Sequence, residues 1–211
     1  KAIHVKYAAE AKPDRRPVFH MIHEYPLGGA PPMMTHVYEN KAGERIIACK
    51  GAVERLLMVC HDLTDKMRTD VLKKTHELAS MGYRVLGVAC AEWPGDDFPA
   101  DQDRFSWQFE GLIALFDPPK KNIQRVFQHF YDAGIRVKMI TGDYPETALN
   151  IARQSGLKYD GKVLSGDAVM AMNDAELRES VGTTEIFARM FPDAKLRIVE
   201  ALKANGEVVA M

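Results

Sequence analysis

Cysteine is scarce in this sequence: Cys49, Cys60 and Cys90 are the three in 211 residues. An odd number, without the paired spacing of a metal-ligand set, excludes a disulfide framework and reads as reduced thiols of a cytosolic compartment. Excess charge of one sign is lacking too. Lysine plus arginine (28) nearly balances aspartate plus glutamate (29), the net is −1, and the charges are mixed along the chain. That balance excludes a nucleic-acid footprint or a basic membrane-binding face. No apolar run approaches the ~18 residues a membrane helix needs; the longest are residues 56–60 and 112–116. No signal-peptide pattern follows Lys1, and there is no internal repeat or low-complexity segment. A chain that starts at lysine and stops at Met211 inside an apolar run reads as a piece excised from a longer protein.

What is present is ordinary for a soluble protein with a buried core. Hydrophobic residues make up 46% and charged residues 27%, a composition of one or two folded domains. In the first half, residues 18–25, 33–39 and 44–50 have strand composition, the last two forming a hairpin across Asn40-Lys41-Ala42-Gly43. Residues 52–60 and 62–81 read as helices, with Gly82 a stop. Residues 83–92 and 105–116 read as strands around a Pro/Gly/Asp-rich loop at 93–103. This half predicts an antiparallel sheet with helices packed on it.

The second half changes character near residues 112–120. Ile123, Val126, Phe127 and Phe130 form a helical stripe that Gly134 can end. Residues 135–140 read as a buried strand, 148–155 as a helix, 185–189 as a strand, 194–204 as a helix and 207–211 as a strand. That alternation predicts parallel βαβ units, so the fold class is α/β in two parts.

The densest chemistry is Met139-Ile140-Thr141-Gly142-Asp143. A buried strand runs into a small polar loop, and Pro145 suits the first turn of a following helix. Loops after the carboxyl ends of parallel strands bind ligands, and helix amides favour anions. Gly142 permits close approach and Thr141 offers a hydroxyl; the plain alternative is a turn in which Asp143 caps the helix. Lys195, after Arg189-Met190-Phe191-Pro192-Asp193, could bring an ammonium to the same sheet edge, or be a solvated first-turn lysine. Lys50-Gly51-Ala52 joins a strand to a helix in a geometry suited to phosphate or a base, or to an ordinary turn. Asp117-Pro118-Pro119-Lys120 is a stiffened crossing, hinge or linker.

In this order, five segments resemble the cytoplasmic region of P-type cation-transporting ATPases, in the calcium-pump-like type II branch. They are Cys49-Lys50-Gly51-Ala52-Val53-Glu54, Gly82-Tyr83-Arg84-Val85-Leu86-Gly87-Val88-Ala89, Asp117-Pro118-Pro119-Lys120, Met139 to Asp143, and Ala188-Arg189-Met190-Phe191-Pro192-Asp193-Ala194-Lys195. The resemblance implies that residues 1–113 are part of a nucleotide-binding domain. It implies that 114–211 are part of a haloacid dehalogenase-like phosphorylation domain with a partial Rossmann-like parallel sheet.

The roles implied carry over residue by residue. Lys50 and Gly51 match the nucleotide-pocket turn and Arg84 an arginine near the nucleotide phosphates. Thr141, Gly142 and Asp143 match the loop that meets the γ-phosphate. Arg189 matches another nucleotide contact, Lys195 the lysine that stabilises the phosphoryl group, and Asp117 and Lys120 the hinge. Leu27 stands where the family usually has an adenine-stacking phenylalanine. Gly29 and Pro32 stand where relatives have basic contacts, and Val53 replaces a proline. Strand alternation puts Tyr25 on the same face as Leu27, where its ring either substitutes for the missing aromatic or packs in the core.

The family's phosphorylated aspartate before Lys-Thr-Gly is missing, as is its Gly-Asp-Gly-x-Asn-Asp magnesium loop. The resemblance therefore implies ATP and Mg2+ as cofactors, with the Mg2+ ligands outside this chain. Its partners are the remaining phosphorylation, actuator and transmembrane domains of the same pump, at the cytoplasmic face of the cell membrane. The piece is expected to bind ATP and to be inactive alone. Two rivals remain. A stand-alone haloacid dehalogenase-like phosphatase needs an Asp-x-Asp-like nucleophile on a first strand, and none is visible. A non-catalytic nucleotide-binding module fits the weakened adenine stretch.

Overall fold

The computed structural model describes residues 2–10, 13–28, 32–95 and 97–211. Their contacts divide into two units, Lys1–Glu77 with Val85–Leu115, and Leu78–Arg84 with Phe116–Met211. Of Gly29 and Pro32, which stand where relatives have basic contacts, Gly29 lies outside the described residues and Pro32 is exposed.

The first unit is built on a five-stranded sheet. Its strands are β1 (Phe19–Gly28), β2 (Met33–Asn40), β3 (Arg45–Gly51), β4 (Arg84–Ala91) and β5 (Gln108–Leu115), side by side in chain order. Pairing is antiparallel from β1 through β4. The period-2 alternation read from the sequence becomes rows of buried residues across the sheet. Met33 lies opposite Gly51 and Gly51 opposite Gly87; Thr35, Cys49 and Ala89 form the next row, Val37, Ile47 and Ala91 the third. All nine are buried.

Helix α2 (Val53–Val59) covers this face, and a Cβ added at Gly87 would meet Leu56 Cδ2 at 3.0 Å. Val53 and Leu56 have no exposed surface, and burying each stabilises the unit by about 1.5–3 kcal/mol. Phe105 and Trp107 complete the core, stacked edge-on at 5.3 Å. The β2–β3 turn is held by Asn40 Oδ1, which accepts from the amides of Ala42 (3.0 Å) and Glu44 (2.9 Å), while Gly43 supplies φ +78°. Helix α1 (Ala2–Glu10), not anticipated from composition or periodicity, buries none of its residues. Helix α3 (Asp65–Ser80) ends as expected at Gly82, where φ is +89° and the Tyr83 amide donates to Leu78 O.

The second unit holds a three-stranded parallel sheet of β6 (Met139–Ile140), β7 (Val163–Ser165) and β8 (Ile186–Ala188), in the order β6-β8-β7. The helices are α4 (Ile123–Asp132), α5 (Pro145–Ser155), α6 (Gly166–Ala171), α7 (Asp174–Thr183) and α8 (Pro192–Ala204). Strand β8 is buried on both faces, as a central parallel strand must be. Phe187 packs with Val169, Leu177, Val181 and Ile198 from α6, α7 and α8. Ile186 and Ala188 point the other way, to Ala148 and Ala152 of α5 and Phe127 of α4.

Two predicted strands are shortened or absent for one reason. In both, the residue after a left-handed glycine is consumed by a helix cap. Gly134 (φ +74°) lets the Ile135 amide donate back to Phe130 O at 2.8 Å, so the predicted strand 135–140 pairs only at Met139 and Ile140. Gly206 (φ +82°) does the same for Glu207, whose amide donates to Leu202 O, and residues 207–211 join no sheet. No helix among the described residues is long and apolar enough to cross a membrane.

Candidate functional site

The sheet face opposite the first unit's core carries the Lys50 region. Because Cys49 and Gly51 are buried, Lys50 projects from the other side and is exposed. Its ladder neighbours there are Met34 and Val88, and the next row is His36, Ala48 and Cys90, none of them fully buried. The surface has an apolar centre, one cation and a polar rim. His36 Nε2 is 3.6 Å from Glu24 Oε1, and the Cys90 thiol donates to Glu110 Oε1 at 2.7 Å. The Lys50 ammonium makes no ion pair among the described residues.

Gly51 belongs to the other face. A Cβ there would lie 2.8 Å from both Met33 Cβ and Pro32 O, so β2 requires glycine at this position. Tyr25 also belongs to the core: it is 8% exposed, its ring meets Phe105 edge-on at 5.7 Å, and its hydroxyl donates to Pro99 O. A register shift between Tyr25 and Gly28 breaks the alternation, and Leu27 is 63% exposed. Tyr25 therefore provides no ring beside Leu27.

In the second unit, the loops leaving β6 and β8 are stitched together at the carboxyl edge of the parallel sheet. The Thr141 amide donates to Phe187 O, the Arg189 amide to Asp143 O and the Met190 amide to Thr141 O, each at 2.9 Å. Arg189 makes this possible with φ +53°, the single left-handed non-glycine among the described residues. Such a conformation costs about 1 kcal/mol or more and persists where surrounding contacts enforce it. Its guanidinium lies 4.7 Å from the Tyr144 ring centroid.

Within the first loop, Thr141 Oγ1 donates to Asp143 Oδ2 at 3.0 Å and accepts from the Asp143 amide at 3.1 Å. Arg84, the first residue of β4 and part of this unit by contact, places Nε 3.4 Å from Asp143 Oδ1. Asp143 is thus engaged by Thr141 and Arg84 and does not cap α5, whose N-cap is Tyr144 without a side-chain hydrogen bond. Helix α8 likewise starts at Phe191 and Pro192 without a side-chain cap. Helices α6 and α7, by contrast, are capped by Ser165 and by an Asn173/Glu176 capping box.

Gly142 is exposed, has no left-handed φ, and a Cβ there would come no closer than 3.5 Å to any atom. The fold itself does not require glycine at 142. Lys195 sits in the first turn of α8, half-buried, and its ammonium has no partner among the described residues. Asp117 and Lys120 are exposed on an irregular segment.

Other polar groups do not join these surfaces. The thiols are suppressed: burial pushes Cys49 and Cys60 up to about 12, and burial with the Glu110 hydrogen bond pushes Cys90 to about 11. No three His, Cys, Asp or Glu side chains among the described residues could hold a metal ion together. A groove of about 670 Å³ between α1 and residues 112–115 contains none of the residues named above. His36, Glu24 and Cys90 carried no site role in the sequence, because cross-strand register is what sets them on the face of Lys50.

A family model described as "P-type ATPase, cytoplasmic domain N" matches residues 6–122, more than half of the chain. The chain belongs to the P-type ATPase family. Among its relatives, the probable cation-transporting ATPase F of Mycobacterium tuberculosis is 38% identical over 182 residues, covering 80% of this chain and 20% of that protein. The magnesium-transporting ATPase, P-type 1 of Salmonella typhimurium is 34% identical over 185 residues (82% and 20%). Calcium-transporting ATPase 1 of Saccharomyces cerevisiae is 33% identical over 215 residues (94% and 23%). The chain spans about a fifth of the length of these P-type ATPases.

Proposed function

We propose that this chain is the nucleotide-handling portion of an ATP-driven cation pump. Residues 1–113 form part of its nucleotide-binding domain, and 114–211 part of a haloacid dehalogenase-like, Rossmann-like phosphorylation domain. The whole pump hydrolyses ATP through an aspartyl phosphate, with the remaining phosphorylation, actuator and transmembrane domains as partners, at the cytoplasmic face of the cell membrane. The observation that carries this reading is the stitched pair of loops at the carboxyl edge of the parallel sheet, joined by Arg189 N to Asp143 O and Met190 N to Thr141 O.

That edge has the chemistry for a transferring phosphoryl group. Charge spreads over the equatorial oxygens of such a group, so catalysis rests on positioning and electrostatic stabilisation. Thr141 supplies a hydroxyl, Gly142 leaves open space that the fold does not need, and the uncapped starts of α5 and α8 leave amides for an anion. Lys195 is the ammonium with charge to spare, and Asp143 is the carboxylate whose orientation Thr141 sets. Lys50, on its open apolar face, and Arg84 contact the nucleotide, with Leu27 and Arg189 as further contacts. Asp117 and Lys120 form the hinge.

Magnesium, when bound with ATP, neutralises the phosphate oxygens. Asp143 is the sole carboxylate in 141–143 and 189–191, and it is already engaged by Thr141 and Arg84. These two segments do not make a magnesium site, and the reading places its carboxylates outside this chain.

Calorimetric titration with ATP and a non-hydrolysable analogue tests the reading. Binding should be weak, high micromolar to millimolar or roughly −4 to −6 kcal/mol, and weaker still in Lys50→Ala. Sub-micromolar affinity, or affinity unchanged in Lys50→Ala, would overturn it.

A further inference from the structure

The sheet face that carries Lys50 has an aromatic ring on it that the sequence motifs do not account for. We propose that His36 is the base-facing residue of this surface, supplying the flat π-face that Leu27 lacks, and that Glu24 is the positioning residue for its ring. The inference rests on the nucleotide reading above and adds which side chain meets the base.

Placement comes first. Thr35 and Val37, the chain neighbours of His36, are both fully buried in the core, so His36 projects from the opposite face together with Lys50. His36 lies across the ladder from Ala48, two residues before Lys50. Diagonal neighbours of this kind are roughly 7–8 Å apart, a span one nucleotide covers while touching both. Ala48 has no bulk to cover the imidazole, and Met34 and Val88 continue the apolar surface toward Lys50.

Orientation comes second. Two neighbours flank the ring, Glu24 Oε1 at 3.6 Å from Nε2 and the Tyr38 ring edge-on at 6.0 Å between centres, and the side chain keeps 26% exposure. A ring flanked in this way loses little freedom when a base stacks on its π-face, and purines stack on such faces. His23, by contrast, is occupied by Tyr25 (4.6 Å) and Phe98 (5.1 Å) and has no comparable freedom. Leu27 is exposed beyond the register shift and offers aliphatic contact alone.

The test is calorimetric titration of the 211-residue chain with ATP and, separately, inorganic tripolyphosphate, with thermal melts confirming that each variant folds. His36→Ala should weaken ATP binding about fivefold and leave tripolyphosphate unchanged. His36→Phe should keep ATP affinity within about twofold of the native chain, because the π-face survives. Glu24→Gln should weaken ATP in the native background and have no effect in His36→Phe, which a merely structural role would not produce. Unchanged ATP affinity in His36→Ala while Lys50→Ala still weakens binding overturns the role of His36 alone. Equal losses in His36→Ala and His36→Phe overturn the stacking account. Failure of the native chain to bind ATP overturns the nucleotide reading itself.

Discussion

Thr141 and Asp143 hold each other: the threonine hydroxyl donates to the aspartate carboxylate at 3.0 Å and accepts from the aspartate amide at 3.1 Å. The pair closes a two-residue ring at the tip of β6, fixing the carboxylate before any ligand arrives. Thr141→Val keeps the shape and removes both bonds. It should lower stability by about 1–2 kcal/mol, read as a lower urea midpoint at constant slope; an unchanged midpoint would mean that water replaces the hydroxyl at no cost.

Two glycines assigned to nucleotide contacts should respond oppositely to alanine. At Gly51 the new Cβ meets Met33 and Pro32 at 2.8 Å, and overpacking against backbone costs about 1–3 kcal/mol. At Gly142 the nearest atom is 3.5 Å away, so stability should stay within about 0.5 kcal/mol. Phosphate-bearing ligands should nevertheless bind more weakly to Gly142→Ala, because the methyl fills space that they would use. Paired melts and titrations of the two variants separate the effects; a Gly142→Ala chain that binds ATP as the native chain does would count against Gly142 as a contact.

Leu27→Phe should tighten ATP binding by about 1 kcal/mol. Leu27 is 63% exposed and the Tyr25 ring is committed to the core, so a ring at 27 has a free surface to occupy. Titration of this variant beside the native chain gives the answer, and equal affinities would place the base away from residue 27.

The thiols tie stability to alkaline pH. All three are raised in the folded state, Cys49 and Cys60 to about 12 and Cys90 to about 11, from a usual value near 9, with burial the first cause. The unfolded chain therefore releases these protons first as pH rises. Their contribution is fully present below about pH 9 and is lost progressively toward pH 11–12. Melting temperature should fall over that window. At pH 8 the thiols should react with iodoacetamide slowly in the native chain and quickly in urea. Rapid native labelling of Cys49 or Cys60 would contradict their burial.

Catalysis is not expected from residues 1–211 alone. In-line phosphoryl transfer needs a nucleophilic carboxylate and a bridging magnesium, and no aspartate in the sequence is followed by Lys-Thr-Gly. Radiolabelled ATP with magnesium, followed by acid quench, should leave no hydroxylamine-sensitive label on the protein. Stable labelling, or phosphatase turnover abolished in Asp143→Asn, would instead identify a self-sufficient phosphatase.

Local chemistry determined a large share of this molecule. The alternation through residues 33–39, the Asn40–Gly43 turn, the stripe Ile123/Val126/Phe127/Phe130 and the stops at Gly82 and Gly134 are written in short-range preferences. They reappear as β2, its hairpin with β3, α4 and the ends of α3 and α4. The P-type ATPase resemblance was equally legible, since its segments are contiguous. Strand β7 and helices α6 and α7 were not read. Val163-Leu164-Ser165 is too short for periodicity, and α7 buries only Leu177 and Val181, although Asn173 and Glu176 form a capping box that was there to find. The sequence also could not say that residues 135–138 and 207–211 join no strand, because ladder pairing depends on a neighbour that arrives from elsewhere in the chain. Tertiary structure alone decided that Tyr25 and Gly51 face the core while Lys50 and His36 share the open face. It alone joined Arg189 and Met190 to Thr141 and Asp143, because cross-strand register and loop-to-loop hydrogen bonds link residues that no local preference relates.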